Sequence, residues 1–165
     1  MSMSAGSERR RLRFHDLDEA VRDAESLLRG GYRRVGRWDL SQICDHLADW
    51  LTYPVDGMPP APLPMRAAMF VMRHTVAPRM LRKTLDAGEM PAGAPTLPAT
   101  VPAPGGDETE AVARLRRAVE RFRAHEGEYL PSPLFGPVSR DEANRMQLIH
   151  CAHHLGFLIP EAGDE

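Results

Sequence analysis

An all-α bundle is the fold class this sequence predicts, and three observations predict it. Four short polar caps are each followed three residues later by Glu or Gln, at Asp16/Glu19, Asp39/Gln42, Asp107/Glu110 and Ser139/Glu142. Such a pair satisfies two orphan backbone donors reciprocally at a helix start. Each cap opens an apolar run at helical spacing. No alternating run of convincing strand length occurs anywhere along the chain.

The first helix carries Leu17, Val21, Ala24, Leu27 and Leu28 and stops at Gly30-Gly31, where glycine tolerates a left-handed stop. The second carries Leu40, Ile43, Leu47, Trp50 and Leu51 and is expected to end before Pro54. A third helical candidate, residues 65–85, contains Pro78, which removes a backbone hydrogen bond and should kink or split it. Residues 88–106 hold five prolines and four glycines in 19 residues and read as a long loop, of the kind that is usually functional or mobile. The next run, with Val112, Leu115, Val119 and Phe122, has a heavily charged outer face and is expected to reach Glu128. The last, residues 140–159, is apolar on nearly every side, so burial is expected. On this reading residues 1–13 form a flexible tail, 14–160 the bundle domain and 161–165 a second tail.

Length and composition exclude several function classes. A chain of 165 residues buries roughly 70% of its unfolded surface, enough for a core without disulfides or a structural metal. Its 21 Lys+Arg against 23 Asp+Glu give a formal net charge of −2, without the basic excess of a general nucleic-acid binder. Cys44 and Cys151 form neither a C-x-x-C pair nor a zinc-knuckle spacing, so a reducing cytoplasm is the expected compartment. The basic residues 9–13 are followed by no apolar run, as a signal peptide would require. The most apolar stretch, 65–72, is far short of the ~20 residues of a membrane span.

The histidines carry the chemistry. His46 stands three residues after Ile43 and four before Trp50, on the apolar face of the second helix. His150 and His154, spaced i and i+4, project from one face of the last helix roughly 40° apart and can share a ligand. Phe157 is expected on that same face, as an apolar wall. His153 points roughly 60° to the other side of His150 and is assigned a supporting or structural role. Taken singly, His46 reads as a hydrogen-bonded core histidine, and an isolated H-x-x-x-H is a weak signal. Three imidazoles converging inside a bundle, however, build a four-coordinate zinc or six-coordinate nickel site with positions open for water. Gln42, one turn before His46, is placed to orient that imidazole, and Tyr53, two turns after it, to line the pocket. His15, His74 and His125 fall on polar faces or helix ends.

Other chemistries lack their motifs. The H-E-x-x-H signature is absent, and neither G-x-S-x-G nor G-x-x-x-x-G-K occurs. Cys44 projects from a different side of its helix than His46, which argues against a Cys–His nucleophile pair. Arg114, Arg116, Arg117, Arg121 and Arg123 alternate with Glu110, Glu120 and Glu126, a solvated, ion-paired face.

Trp38-Asp39-Leu40-Ser41-Gln42-Ile43-Cys44-Asp45-His46-Leu47-Ala48 resembles the W-[ST]-x-x-Q-x-x-x-H-L segment of the DinB-like (DinB/YfiT) superfamily. Ser132-Pro133-Leu134-Phe135-Gly136-Pro137-Val138-Ser139, followed by His150-Cys151-Ala152-His153-His154-Leu155, resembles one uncharacterised branch of it. That branch is a domain-of-unknown-function family with an H-P-x-F-G-x-[LV]-[ST] turn and an H-x-x-H-H-L helix. Leu12-Arg13-Phe14 and Val55-Asp56-Gly57 also fit, so the likeness covers most of 11–159. The resemblance implies a four-helix bundle with a crossover connection. It also implies a divalent metal, often nickel or zinc, held by one His of the second helix and two of the last, here His46, His150 and His154. The chain departs from the pattern at Ser132, at Ala143 and at Gly156-Phe157, where an Arg-Gln pair is usual.

Characterised relatives in that superfamily include metal-dependent hydrolases, and transferases or isomerases that use a small thiol such as bacillithiol or mycothiol. Two functional readings follow. In one, a divalent metal lowers the pKa of a water or a substrate thiol. In the other, the chain is a non-catalytic binding or interaction protein with structural histidines, favoured by the lack of a convergent Glu or Asp to act as base. A small-molecule ligand is the expected partner, with neither nucleic acid nor membrane; a homodimer stays open. The catalytic residues are not assigned.

Overall fold

In the computed structural model, which describes residues 9–93, 96 and 100–161, all four polar caps start helices. Asp16 caps α1 (Leu17–Gly30), accepting from the Glu19 amide at 2.8 Å. Asp39 and Ser139 open α2 (Leu40–Asp56) and α6 (Arg140–Leu155) with complete reciprocal boxes, the Gln42 and Glu142 side chains reaching back to the cap amides. Asp107 caps α5 (Glu108–Ala124) through the Glu110 amide at 3.0 Å. The expected third helix is two, α3 (Leu63–His74) and α4 (Ala77–Ala87). Pro78 sits in the first turn of α4, where a missing N–H breaks no helical bond, and the chain breaks at Thr75 just before it.

Three helix ends differ from expectation. α2 does not stop before Pro54 but runs through it to Asp56. The amide that Pro54 lacks would have bonded the Trp50 carbonyl, and Gln147 of α6 donates its Nε2 to that carbonyl instead, at 2.9 Å. α5 ends at Ala124 and α6 at Leu155, each about a turn earlier than the apolar pattern implied. Beyond Gly156 the chain forms β2 (Leu158–Pro160), antiparallel to β1 (Tyr32–Arg34), with Tyr32 opposite Pro160 and Arg34 opposite Leu158. Strands of three residues carry too little alternation to be read from sequence. Nor is α6 buried all round: Arg140, Asp141, Asn144 and Arg145 face solvent, while Gln147, Ile149, His150, Cys151 and Leu155 turn inward.

α1 and α2 each pack on both α5 and α6. Their shared core includes Leu27, Leu40, Leu47, Leu115, Phe122 and Leu155, side chains whose burial contributes about 1.5–3 kcal/mol each. α4 leans on α6 through Leu81, Leu85 and Ile149. The α5 arginines are ion-paired as expected, but mostly across helices. Arg114 reaches Asp45 and Asp49 of α2 at 2.9 and 2.5 Å, Arg121 reaches Asp56, and Arg116 and Arg123 meet Glu25 and Asp18 of α1. Among the described residues no helix is long and apolar enough to cross a membrane.

Arg9 and Arg10 of the expected N-terminal tail lie against the bundle. The Arg10 amide donates to the Gly156 carbonyl at 2.8 Å, and its guanidinium forks onto Asp23 with both contacts at 2.8 Å. The same guanidinium donates to the carbonyls of Leu155 and Leu158. Residues 1–8 and 162–165 of the two tails, and 94, 95 and 97–99 of the Pro/Gly-rich loop, lie outside the described residues. The arm approaches so closely that a Cβ on Gly156 would stand 2.7 Å from the Arg10 carbonyl oxygen and 2.9 Å from that of Ala152. Gly156→Ala is therefore expected to displace the arm and lower stability by about 1–3 kcal/mol. Chemical denaturation checks this, and an unchanged midpoint would mean that the arm adds nothing to the fold.

Candidate metal centre

α2 and α6 pack side by side, which sets the inward faces of both helices against each other. His46 Nε2 stands 3.2 Å from His150 Nε2. His154, one turn further along α6, completes the group: one nitrogen from each of the three lies within 4.8 Å of the others. The His154 ring centroid is 4.7 Å from those of both His46 and His150. His46 and His150 are buried and His154 is half-buried.

The protonation of His46 follows from its other nitrogen. Nδ1 lies 2.8 Å from the Thr100 carbonyl oxygen, and a carbonyl only accepts. Nδ1 therefore carries the proton, and Nε2 turns its lone pair toward His150 and His154. Burial pushes the pKa of His46 down. His150 and His154 are held well below the usual imidazole range, by burial first and then by neighbouring imidazoles whose charge would repel theirs. All three are neutral near pH 7, the state in which imidazole ligates a metal.

This donor set fits a divalent ion. Two nitrogens bonded to a tetrahedral zinc at about 2.0–2.1 Å stand about 3.3 Å apart, and the two Nε2 atoms of His46 and His150 stand 3.2 Å apart. The tryptophans wall the cluster. Trp38 stacks on His154 with ring centroids 5.2 Å apart and planes 4° from parallel, and meets His46 in a T-shaped contact with centroids 5.0 Å apart. Trp50 packs 5.7 Å from His150 and 6.1 Å from His46.

Of the residues expected around the trio, Gln42 and Phe157 are placed differently. Gln42 does not hold His46. Its Oε1 closes the α2 capping box, and its Nε2 donates to the Pro102 carbonyl at 2.9 Å. The Thr100 carbonyl takes the orienting position, and Gln42 anchors the strand of loop that delivers it. That loop end is further tied by the Gly105 amide donating to Asp39 at 3.0 Å, so residues 100–105 of the Pro/Gly-rich stretch belong to the site's scaffold. Tyr53 packs on Trp50 at 5.7 Å, and burial and Asp49 push its hydroxyl pKa up.

His153 turns toward the N-terminal arm, its Nδ1 accepting from the Arg9 guanidinium at 3.0 Å. Burial and the Arg9 charge push its pKa down to about 4. Phe157 follows His153, not the trio: its ring lies 5.3 Å from that imidazole, below the Arg9 guanidinium, and its Cβ packs at Gly36. The helical face extrapolated to Phe157 does not exist there, because α6 ends at Leu155. The apolar wall expected of Phe157 is supplied by Trp38 and Trp50. Trp50, four residues after His46, was legible by spacing. Trp38 precedes the helix and has no face to read.

Cys44 and Cys151 are free and buried, and burial raises both thiols, Cys151 to about 12, so neither offers a thiolate near neutral pH. Beside the trio lies a cavity of ≈ 550 Å³. Trp50 and Thr100, which both touch the trio, form part of its wall.

The family described as "Protein of unknown function (DUF1569)" matches residues 6–161. Comparison with curated proteins and with solved structures finds no match.

Proposed function

Because the chain belongs to the DUF1569 family along nearly its whole length, a family whose description carries no reaction, we propose from its histidine cluster that it is a divalent-metal protein. His46, His150 and His154 hold one zinc or nickel ion in a DinB-like four-helix bundle of α1, α2, α5 and α6, within a domain of residues 14–160. When bound, such an ion acidifies water or a thiol and so supplies a nucleophile near neutral pH, as metal-dependent hydrolysis or small-thiol transfer requires. The chain's own residues prepare that site. The Thr100 carbonyl fixes the His46 tautomer, burial keeps all three imidazoles neutral, and Trp38 and Trp50 limit the access of water.

The observation that carries this reading is the 3.2 Å approach of two neutral imidazole nitrogens. One observation favours a non-catalytic alternative. The cluster is all histidine, and Asp49, the carboxylate His46 feels, is tied to Arg114 at 2.5 Å and so is no free base. The His46–His150 contact is then a neutral N–H···N bond with a structural role.

Elemental analysis of protein purified without a histidine tag tests the proposal. The expected content is about one divalent ion per chain, lost in His154→Ala and in the triple variant His46→Ala/His150→Ala/His154→Ala. Occupancy that survives the triple replacement overturns the site. A metal-free wild type that shows no turnover on ester and thiol-transfer substrates establishes the structural alternative.

A further inference from the structure

We propose that the outer face of α3 docks on an anionic lipid bilayer surface, its exposed apolar side chains entering the acyl boundary and its arginines meeting the headgroups. The proposal goes beyond the metal centre and does not depend on it. The lack of a helix able to cross a bilayer has no bearing on a helix that lies along its surface.

α3 turns an apolar face outward. Met69 is its one buried residue. Leu63, Ala67, Phe70, Val71 and His74, spaced as one helical face, are all exposed, Leu63 at 76% and Phe70 at 63%. A contiguous apolar face left in water is unfavourable and marks an interaction site. Val76 and Met80, just beyond it, are exposed as well, while α4 turns Ala77, Leu81 and Leu85 inward. Arg66 and Arg73, seven residues apart, flank the apolar stripe, roughly 60–80° round the helix from Leu63. An open depression of ≈ 410 Å³ is lined by Leu63, Ala67 and Phe70 together with Arg66 and Arg73, so apolar side chains and cations share one surface.

Charge selects the occupant. Residues 57–85 carry five cations, Arg66, Arg73, Arg79, Arg82 and Lys83, and no Asp or Glu, in a chain whose net charge is −2. The five arginines of α5 are all ion-paired to carboxylates. None of the five cations of 57–85 has a side-chain hydrogen bond or ion pair among the described residues. A second copy docked face to face would set these cations against one another. A nucleic acid would meet the cations but hold Leu63, Phe70 and Val71 against phosphate. An acidic protein would need a pocket shaped for Phe70, whereas a fluid bilayer admits a protruding side chain of any shape. An anionic bilayer meets both demands, because the arginine stems run along the apolar boundary while the guanidinium groups stay with the headgroups. The docked face borders the cavity beside the histidine cluster, since Arg66, Met69 and Pro133 line both.

Sedimentation of the full chain with lipid vesicles tests the proposal, using vesicles of phosphatidylcholine alone and of equal parts phosphatidylcholine and phosphatidylglycerol. Affinity for the mixed vesicles is expected to exceed that for the neutral ones by at least about tenfold and to fall with added salt, as each cation near an anionic surface contributes about fivefold. Phe70→Ala is expected to weaken binding to the mixed vesicles by at least about tenfold, the worth of burying an aromatic side chain. Arg66→Gln/Arg73→Gln is expected to weaken it by about twentyfold. None of these three residues is buried, so both variants are expected to keep the wild-type thermal midpoint, which separates lost docking from lost fold. Equal sedimentation with the two kinds of vesicle, or sedimentation with neither, overturns the proposal on the wild type alone. In the second case, a dimer in gel filtration that Phe70→Ala disperses gives the face to a second copy, and a monomer throughout gives it to an acidic protein partner.

Discussion

Acidification below pH 6.5 is expected to unfold this protein, with a thermal midpoint that is flat above about pH 7 and falls steeply toward pH 4. His46, His150, His153 and His154 are all held below the ordinary imidazole value by burial, His153 to about 4. In the unfolded chain they regain a pKa near about 6.5. Between the two values the unfolded state binds more protons than the folded one, so stability rises with pH. The contribution is therefore complete above the unfolded value and is lost as pH falls through the folded ones. Each such group adds a slope of up to about 1.4 kcal/mol per pH unit, and four of them meet at the α2–α6 contact and its border with the N-terminal arm. Chemical denaturation across pH 7.5 to 4.5, in the presence of a chelator so that metal linkage does not enter, measures that slope. A midpoint unchanged between pH 7 and 5 would show that these imidazoles are not desolvated as a group.

Phe122→Ala is expected to cost about 3–5 kcal/mol, as full truncation of a core aromatic does. Phe122 is 2% exposed and lies where α5 faces the shared core. Its loss reaches beyond the cavity it leaves. The ring stacks on Tyr129 at 4.7 Å, and the Tyr129 hydroxyl donates to the Phe122 carbonyl at 3.2 Å. Tyr129 in turn lies under the Arg140 guanidinium, 4.8 Å from it, and Arg140 donates to the carbonyls of His125 and Gly127. Truncation thus loosens both the α5 core face and the connection that delivers the start of α6, the helix bearing His150 and His154. For a chain of this size the expected loss corresponds to a fall of roughly 10 °C in Tm, measured by calorimetry. A loss below about 1 kcal/mol would mean that the surrounding helices close over the site without penalty.

Read alone, the chain's letters determined whatever depends on neighbours within about one helical turn. Asp39 with Gln42 and Ser139 with Glu142 start their helices through bonds spanning three residues, so those starts were legible. The same holds for the shared face of His150 and His154, and for the apolar face that carries His46. Where contacts come from far along the chain, local pattern was blind. Pro54 stays inside α2 because Gln147, 93 residues later, bonds the carbonyl that the proline leaves open. His46 takes its orientation from Thr100 and not from Gln42, because a loop 54 residues away returns a carbonyl to its Nδ1. Phe157 misses the trio because α6 unwinds at Gly156, and the following strand pairs with β1 more than 120 residues earlier. Propensity and capping are energies of adjacent residues, summed along the chain, whereas the distance between two imidazoles on different helices is set by how those helices pack. That is why the tertiary structure alone brought His46 to His150, and put Trp38 and Trp50 around them.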